Sequence, residues 1–233
     1  MAIAGVDLPC EAKEFLSEEF EVTILESDQT IAGEVSAHAD MILCIFDGKL
    51  FFHSSYYERN KDTIDRICSF AGLSPCPSDC ERYGKYPNDV SFNALCLDNA
   101  IICRKESVAT ELLNYPIINT KQGYAGCTAL WAANTVVTAD HATIKACSGA
   151  GIPYHKISGE DIYLKGYDTG FIGGACGVCG NTVYICGDYR KSRSGMELYD
   201  FCQRKELRLV SIYSGPVTDI GGIKFVSLWE RGF

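Results

Sequence analysis

Short apolar runs alternate with turns and helical stretches, and this alternation repeats along the chain. In each repeat, an apolar strand, a tight turn and a second apolar strand are followed by a helical stretch and a third strand. The clearest strand–turn–strand copies are residues 93–103, 128–138 and 177–186, and residues 41–52 form a weaker copy. Because internal repetition sets the whole architecture, we expect each copy to form one ββαβ unit.

The turn residues align the copies with one another. Asn99, Asn134 and Asn181 are equivalent, and Gly48 takes their place in the weaker copy. Both residue types tolerate the positive φ that tight hairpins require. The pattern after the hairpins predicts helices at 56–71, 106–114, 142–149 and 195–205, and third strands at 116–119, 154–157 and 207–212. At 73–76, in the weaker copy, the pattern predicts only a poorly formed third strand.

The two ends of the chain together supply a fifth unit. The N-terminal pattern predicts a second strand at 2–8, a helix at 11–20 and a third strand at 22–25, whereas the C-terminal pattern predicts a lone first strand at 223–229. Pairing the two ends closes a ring without an open sheet edge. The sequence therefore predicts one α/β domain over 1–233, with five ββαβ blades around a central axis.

A ring of five ββαβ blades resembles the pentein, or guanidino-modifying-enzyme, fold. Its members include arginine deiminases, dimethylarginine hydrolases, amidinotransferases and the non-catalytic translation initiation factor 6. The motifs at 36–40, 121–127 and 166–174 also resemble those of an uncharacterised bacterial family with this fold, over nearly the whole chain. In the enzymes of this superfamily, a cysteine attacks a guanidinium carbon, a histidine acts as acid and base, and carboxylates hold the substrate. The resemblance implies the same roles for residues of this chain.

Composition narrows the class of partner. The chain carries a formal charge of -9 and has no run of basic residues, which disfavours nucleic acids and anionic membranes as partners. A small cationic or amino-acid-like ligand suits this balance. The N-terminus lacks a basic signal-peptide region and no apolar run is long enough to span a bilayer, so we expect a cytoplasmic protein.

The cysteines are numerous but do not form a disulfide pattern. There are 13, an odd number, and many lie in apolar strands, which is typical of small buried residues in a reducing compartment. Two closely spaced pairs, Cys76/Cys80 and Cys176/Cys179, leave a structural zinc site as the alternative. We expect no metal and no cofactor.

The residues that precede the first strands should meet at one mouth of the axis. The candidate site residues at these junctions are His38, Asp40, Asp89, Lys121, Cys127, Asp168 and Asp219. Four of them are carboxylates from different blades, and converging carboxylates repel one another unless a cation or shared protons offset their charge. A guanidinium suits such a pocket because its planar donors pair with carboxylates. The alternative is that these residues only serve turns.

Cys127 is the sharpest catalytic candidate. Lys121 or His38 could lower the pKa of its thiol, and His38 would move protons. Asp89 and Asp168 would hold the cation, and Asp40, Lys121 and Asp219 would complete the binding pocket. The chain departs from the superfamily pattern at 218–222, where the usual nucleophile position lacks a cysteine. A non-catalytic ligand-binding or assembly module therefore remains the alternative.

Overall fold

In the computed structural model, which describes residues 1–31, 33–81 and 86–227, the chain forms five three-stranded sheets. The strands of the described part are Ala2–Gly5 (β1), Val22–Leu25 (β2), Leu43–Phe46 (β3), Lys49–His53 (β4), Ser74–Ser78 (β5), Leu95–Cys96 (β6), Ile101–Cys103 (β7), Ile117–Asn119 (β8), Ala129–Ala132 (β9), Thr135–Thr138 (β10), Tyr154–Lys156 (β11), Cys176–Cys179 (β12), Thr182–Ile185 (β13), Arg208–Ser211 (β14) and Lys224–Phe225 (β15). This five-sheet arrangement confirms the predicted α/β fold.

Helices connect the second and third strands of the blades or precede the first. The α-helices are Cys10–Ser17 (α1), Ala39–Ile42 (α2), Ser54–Arg59 (α3), Lys61–Ala71 (α4), Ala125–Thr128 (α5), His141–Ala150 (α6), Ile172–Ala175 (α7) and Arg193–Arg204 (α8). Short 3₁₀ turns occupy Gly33–Val35, Thr110–Asn114 and Tyr189–Lys191. None of the described helices is long and apolar enough to cross a membrane.

Every blade has the same pairing order. The first strand pairs antiparallel with the second, and the second pairs parallel with the third, as in β3–β4–β5. The chain ends complete one blade as predicted, because β15 pairs antiparallel with β1, which pairs parallel with β2. The amino group of Met1 also donates to the carbonyl of Val226 at 2.8 Å. Positions 228 and 229 of the predicted last strand lie outside the described residues.

Three predicted elements differ in kind or number from the structure. The single helix predicted at 56–71 is two helices, α3 and α4, which meet at Asn60. The helix predicted at 106–114 is a single 3₁₀ turn, Thr110–Asn114. The third strand of the weaker copy, predicted to be poorly formed, is the five-residue strand β5, which pairs with β4 along its length. Strand β5 is an edge strand, so one side of its backbone has no neighbouring strand to bond. Pro75 and Pro77, which lack an amide hydrogen, are tolerated in such a strand.

The first strands surround a common cavity. It has a volume of about 360 Å³ and is lined from all five blades, by residues that include Cys44, Leu95, Leu130, Cys176 and Lys224. The one-turn helices α2, α5 and α7 each end at the residue before a first strand, β3, β9 and β12 respectively. All residues of these three helices are buried, so they deliver side chains to one end of the axis.

Candidate functional site

Helices α2 and α5 bring a histidine, a carboxylate and a thiol together at the axis. One donor atom each from His38, Asp40 and Cys127 lie within 4.8 Å of one another. All three side chains are buried. Their sequence positions place them on two different blades, so only the closure of the ring brings them together. We call these three residues and Asp219 the axial cluster.

Asp219 joins the cluster from the C-terminal junction. Its Oδ1 lies 3.8 Å from Nδ1 of His38. The backbone amides of Phe171 and Gly221 donate to its two carboxylate oxygens at 2.9 and 3.0 Å. These two hydrogen bonds fix the direction of the carboxylate, so that Asp219 orients toward the imidazole.

Asn93 holds the thiol and is the site residue that the sequence analysis missed. Its Nδ2 donates to Sγ of Cys127 at 2.8 Å, and its Oδ1 accepts from the amides of Gly126 and Cys127 at 2.8 and 3.2 Å. The side chain therefore ties the start of α5 to the neighbouring blade. A signal was available, because Asn93 opens the repeat copy at 93–103, the position at which the other blades place their junction residues.

The surroundings of Cys127 raise the pKa of its thiol well above the ordinary value. Burial is the largest cause, and the charges of Asp40 and Asp219 add to it, whereas the hydrogen bond from Asn93 opposes it. The direction of this shift is opposite to the lowering that the sequence suggested Lys121 or His38 could cause. The loss of water and the two neighbouring carboxylates keep the thiol protonated at neutral pH.

Asp40 is a buried carboxylate whose charge is only partly compensated. Within the described part of the chain, neither of its oxygens has a hydrogen-bond partner. Burial raises its pKa, while His38 and then Lys224 partly offset this effect. An ionised carboxylate in this state costs stability, so a bound cation would be favoured here.

The remaining predicted site residues lie in two different environments. Asp89 is buried and accepts a hydrogen bond from the hydroxyl of Tyr124 at 3.2 Å, so it lies behind that ring. The Tyr124 ring stacks on Phe171 with centroids 6.5 Å apart. By contrast, Lys121 and Asp168 are exposed, and no contact among the described residues brings their side chains to the axial cluster.

A cavity of about 410 Å³ leads from solvent to the cluster. His38 and Asp219 line it, together with rim residues that include Asp7, Glu34 and Lys165. The rim therefore carries two carboxylates and one ammonium group. This charge pattern complements a ligand that has both an ammonium and a carboxylate group, as an amino acid does.

The three grouped side chains could also hold a metal ion. Histidine nitrogen, cysteine sulfur and carboxylate oxygen are all zinc ligands, and three protein ligands leave a fourth position open. The cysteine pairs predicted as the zinc alternative lie elsewhere. Cys76 and Cys80 pack against one apolar cluster, while Cys176 and Cys179 pack in two others.

A glycine beside the axial cluster leaves room for the side chain of Asp219. A Cβ atom at Gly174 would overlap the carboxylate of Asp219. Gly174→Ala should therefore lower the free energy of unfolding by about 1–3 kcal/mol and displace Asp219. Gly149→Ala is the matched control, because a Cβ at that helical position meets nothing within 4 Å, and it should stabilise by about 0.5–1 kcal/mol. Chemical denaturation measures both values, and equal effects would contradict the assignment.

The pH dependence of stability supplies a second prediction. The pKa of Asp219 is raised to about 6, mainly by burial; His38 opposes this rise and the charge of Asp40 adds to it. The folded protein therefore binds more protons than the unfolded chain between about pH 4 and pH 6, and the contribution of Asp219 falls as pH rises through this window. The loss should amount to about 2–3 kcal/mol.

Asp219→Asn tests this contribution by urea denaturation at pH 4 and pH 7. The variant should be less stable at both pH values, because an amide cannot accept both backbone hydrogen bonds. The wild type should, however, lose more stability than the variant, or gain less, between pH 4 and pH 7. Identical pH profiles would contradict a raised pKa at Asp219.

Comparison with known proteins identifies the fold and a family. Residues 6–224 match the model of a family of unknown function, DUF6873. A search of curated proteins found no significant sequence match. Among solved structures, the chain is similar to a dimethylarginine dimethylaminohydrolase (DDAH) from Pseudomonas aeruginosa, a cysteine-to-serine mutant complexed with citrulline. The TM-score is 0.58 and the identity 8%, over 95% of this chain and 94% of that one.

A second similar structure is a dimethylarginine dimethylaminohydrolase adduct with 4-chloro-2-hydroxymethylpyridine. It has a TM-score of 0.54 and 10% identity, over 91% of this chain and 92% of that one. At such low identity the likeness shows the pentein fold alone, and it confirms the fold that the sequence motifs predict.

Proposed function

The chain belongs to the DUF6873 family, and we propose that it is a Cys127-dependent hydrolase or transferase for the guanidino group of a small, amino-acid-like cation. The observation that carries this proposal is the axial cluster. In it, the Cys127 thiol, the His38 imidazole and two carboxylates are buried close together. These are the groups that nucleophilic attack on a guanidinium carbon requires.

The carboxylates of the cluster define the substrate class. Asp40 and Asp219 would face the positive charge of the substrate, in place of the pair Asp89 and Asp168 that the sequence suggested. A guanidinium is favoured over an ammonium because its planar donors can serve carboxylates that lie on different sides. Asp89 would contribute from behind the Tyr124 ring, which would lie against the ligand.

A bound cation would also activate the nucleophile. Asp40 and Asp219 raise the pKa of the Cys127 thiol in the ligand-free protein. A guanidinium near both carboxylates offsets their charge, so the pKa of the thiol falls when the substrate binds. The thiolate would therefore form mainly in the complex, which protects the resting thiol from unwanted reactions.

The reaction would proceed through a covalent intermediate. When the substrate binds, the Cys127 thiol gives its proton to neutral His38, and the thiolate attacks the central guanidinium carbon to form a carbon–sulfur bond. One carbon–nitrogen bond then breaks, and His38 delivers a proton to the departing amine. Neutral His38 next takes a proton from water, whose oxygen attacks the same carbon. Release of Cys127 leaves a ureido product, whereas attack by an amine in place of water would give transfer.

The similar structures make this reaction class worth testing first. Their names state that they are dimethylarginine dimethylaminohydrolases, and one is complexed with citrulline, a ureido amino acid. In this chain the nucleophile would stand on a different blade from the C-terminal one. Gly221 occupies the C-terminal junction instead, and a Cβ there would overlap His38.

The direct test is a substrate panel. Purified protein is incubated with arginine, N-methylated arginines and agmatine, and mass spectrometry measures the ureido product. We expect product from at least one compound, none from Cys127→Ala, and an unchanged rate from Cys10→Ser, which alters an exposed thiol. Binding of these cations without any product would favour the non-catalytic module. Inhibition that a zinc chelator relieves would instead point to a metal on the three grouped ligands.

A further inference from the structure

A second pair of reactive side chains lies along the axial cavity, apart from the axial cluster. Cys44 in β3 and Cys96 in β6 have their sulfur atoms 3.4 Å apart. Both residues line the 360 Å³ cavity, and so does Lys224 of β15, whereas Cys127 does not. The pair therefore belongs to the first strands of two different blades.

The two thiols differ in accessibility and in chemical character. Cys96 is partly exposed, while Cys44 is buried. The hydrogen bond between the two sulfur atoms lowers the pKa of Cys96 and Lys224 acts in the same direction, although burial opposes both. The same contact raises the pKa of Cys44 well above its ordinary value. The partial exposure of Cys96 makes it the thiol of the pair that a peroxide reaches first, and the direction of its pKa shift agrees with that role. The sulfur of Cys44 lies in contact with it.

We propose that Cys44 and Cys96 form a peroxide-sensitive dithiol site that closes to an inter-blade disulfide. The Cys96 thiolate attacks one oxygen of hydrogen peroxide, the O–O bond breaks, and the departing hydroxide takes up a proton to become water. The sulfur of Cys44 then attacks the resulting sulfenic acid, an S–S bond forms, and a second water leaves with the Cys44 proton. In total, two thiols and one peroxide give one disulfide and two waters.

The architecture allows this closure. A disulfide needs the sulfur atoms about 2.05 Å apart, so they must approach by more than an ångström. Strands β3 and β6 belong to separate sheets and share no ladder of hydrogen bonds that would resist the movement. A metal is a weaker interpretation of the pair. Lys224 would repel a cation, and the one group of three potential metal ligands among the described residues is His38, Asp40 and Cys127.

The reduced full-length protein treated with equimolar hydrogen peroxide provides the test. Non-reducing digestion and mass spectrometry should find the Cys44–Cys96 cross-link as the major product, lighter by two hydrogen atoms and reversible with dithiothreitol. Cys44→Ser should instead accumulate a sulfenic acid at Cys96, which dimedone traps. Cys96→Ser should consume peroxide at least about 10-fold more slowly, and Cys10→Ser should behave as the wild type.

Two further variants separate this site from the rest of the molecule. Lys224→Met should slow cross-linking several-fold, because it removes the cation beside Cys96. Cys127→Ala should cross-link at the wild-type rate, so the outcome does not depend on the proposed guanidino chemistry. Oxidation spread over other cysteines while Cys44 and Cys96 stay reduced in the wild type would overturn the proposal, whatever the variants do.

Discussion

Replacing Cys127 with serine is expected to lower turnover of a guanidino substrate by about 10³-fold or more while leaving its binding nearly intact. The hydroxyl is a far weaker nucleophile, but Asp40 and Asp219 still face the cation. Steady-state kinetics measures the first effect and calorimetry the second. Cys202→Ser, a buried cysteine of α8 that packs away from the cluster, controls for the loss of a buried thiol.

Residual turnover of Cys127→Ser shows whether the thiol has a covalent role. Turnover that survives in Cys127→Ser within about 10-fold would exclude a covalent role for the thiol, since removal of a nucleophile costs far more. Loss of binding together with turnover would show that the serine disturbs the pocket. The hydrogen bond from Asn93 to the side chain at position 127 makes the serine hydroxyl a suitable replacement partner.

Asp40→Asn is expected to stabilise the protein and at the same time to weaken its binding of a guanidinium ligand. Neither oxygen of the buried Asp40 carboxylate finds a hydrogen-bond partner in the described part of the chain. A neutral amide avoids the cost of a buried charge, so the free energy of unfolding at pH 7 should rise by about 1–3 kcal/mol. Affinity for a guanidinium ligand should fall about 100-fold or more, because a close, desolvated charge partner is lost.

Thermal unfolding and calorimetry measure the two effects on one sample. Asp200→Asn is the matched control, since Asp200 is exposed on α8 and its change should move either quantity by no more than about 0.5 kcal/mol. The pKa of the Cys127 thiol should also fall in Asp40→Asn, because Asp40 raises it in the wild type. A destabilised Asp40→Asn variant that still binds would contradict the role of this carboxylate.

The fold was predictable because the strand, turn and helix signals of each blade lie close together in the sequence. A hairpin requires positive φ at its turn, and Gly48 and Asn134 adopt it at 66° and 54°. The detail was less predictable, since Gly180 rather than Asn181 takes that conformation in a third blade. Strand β5 was underestimated because its prolines disfavour an inner strand, and its edge position depends on the whole sheet.

The location of the candidate site was predictable from the sequence, but only some of the residues that form it were. The repeat located the junctions where His38, Cys127 and Asp219 stand, but it carries no information on where a junction side chain points. Lys121 and Asp168 lie on the same kind of junction and face solvent. The direction of such side chains depends on packing between blades, which involves residues distant in the sequence.

The thiol chemistry could not be predicted from residue types alone. The presence of His38 and Lys121 near Cys127 in the pattern suggested a lowered pKa. Burial reverses the sign, because loss of water and the charges of the two carboxylates both oppose ionisation. The same two carboxylates that hold the proposed substrate therefore keep the resting nucleophile neutral.

The proposed reaction depends on ionisation of Cys127 by a bound cation, and the ultraviolet absorbance of the thiolate measures this ionisation. The ultraviolet difference between wild type and Cys127→Ser is followed against pH, without ligand and immediately after mixing with arginine or agmatine. Without ligand, no Cys127 thiolate should form at pH 8. A bound guanidinium should make it appear at that pH, since it offsets Asp40 and Asp219. An unchanged absorbance at a ligand concentration that calorimetry shows to be saturating would contradict ionisation of Cys127 by the bound cation.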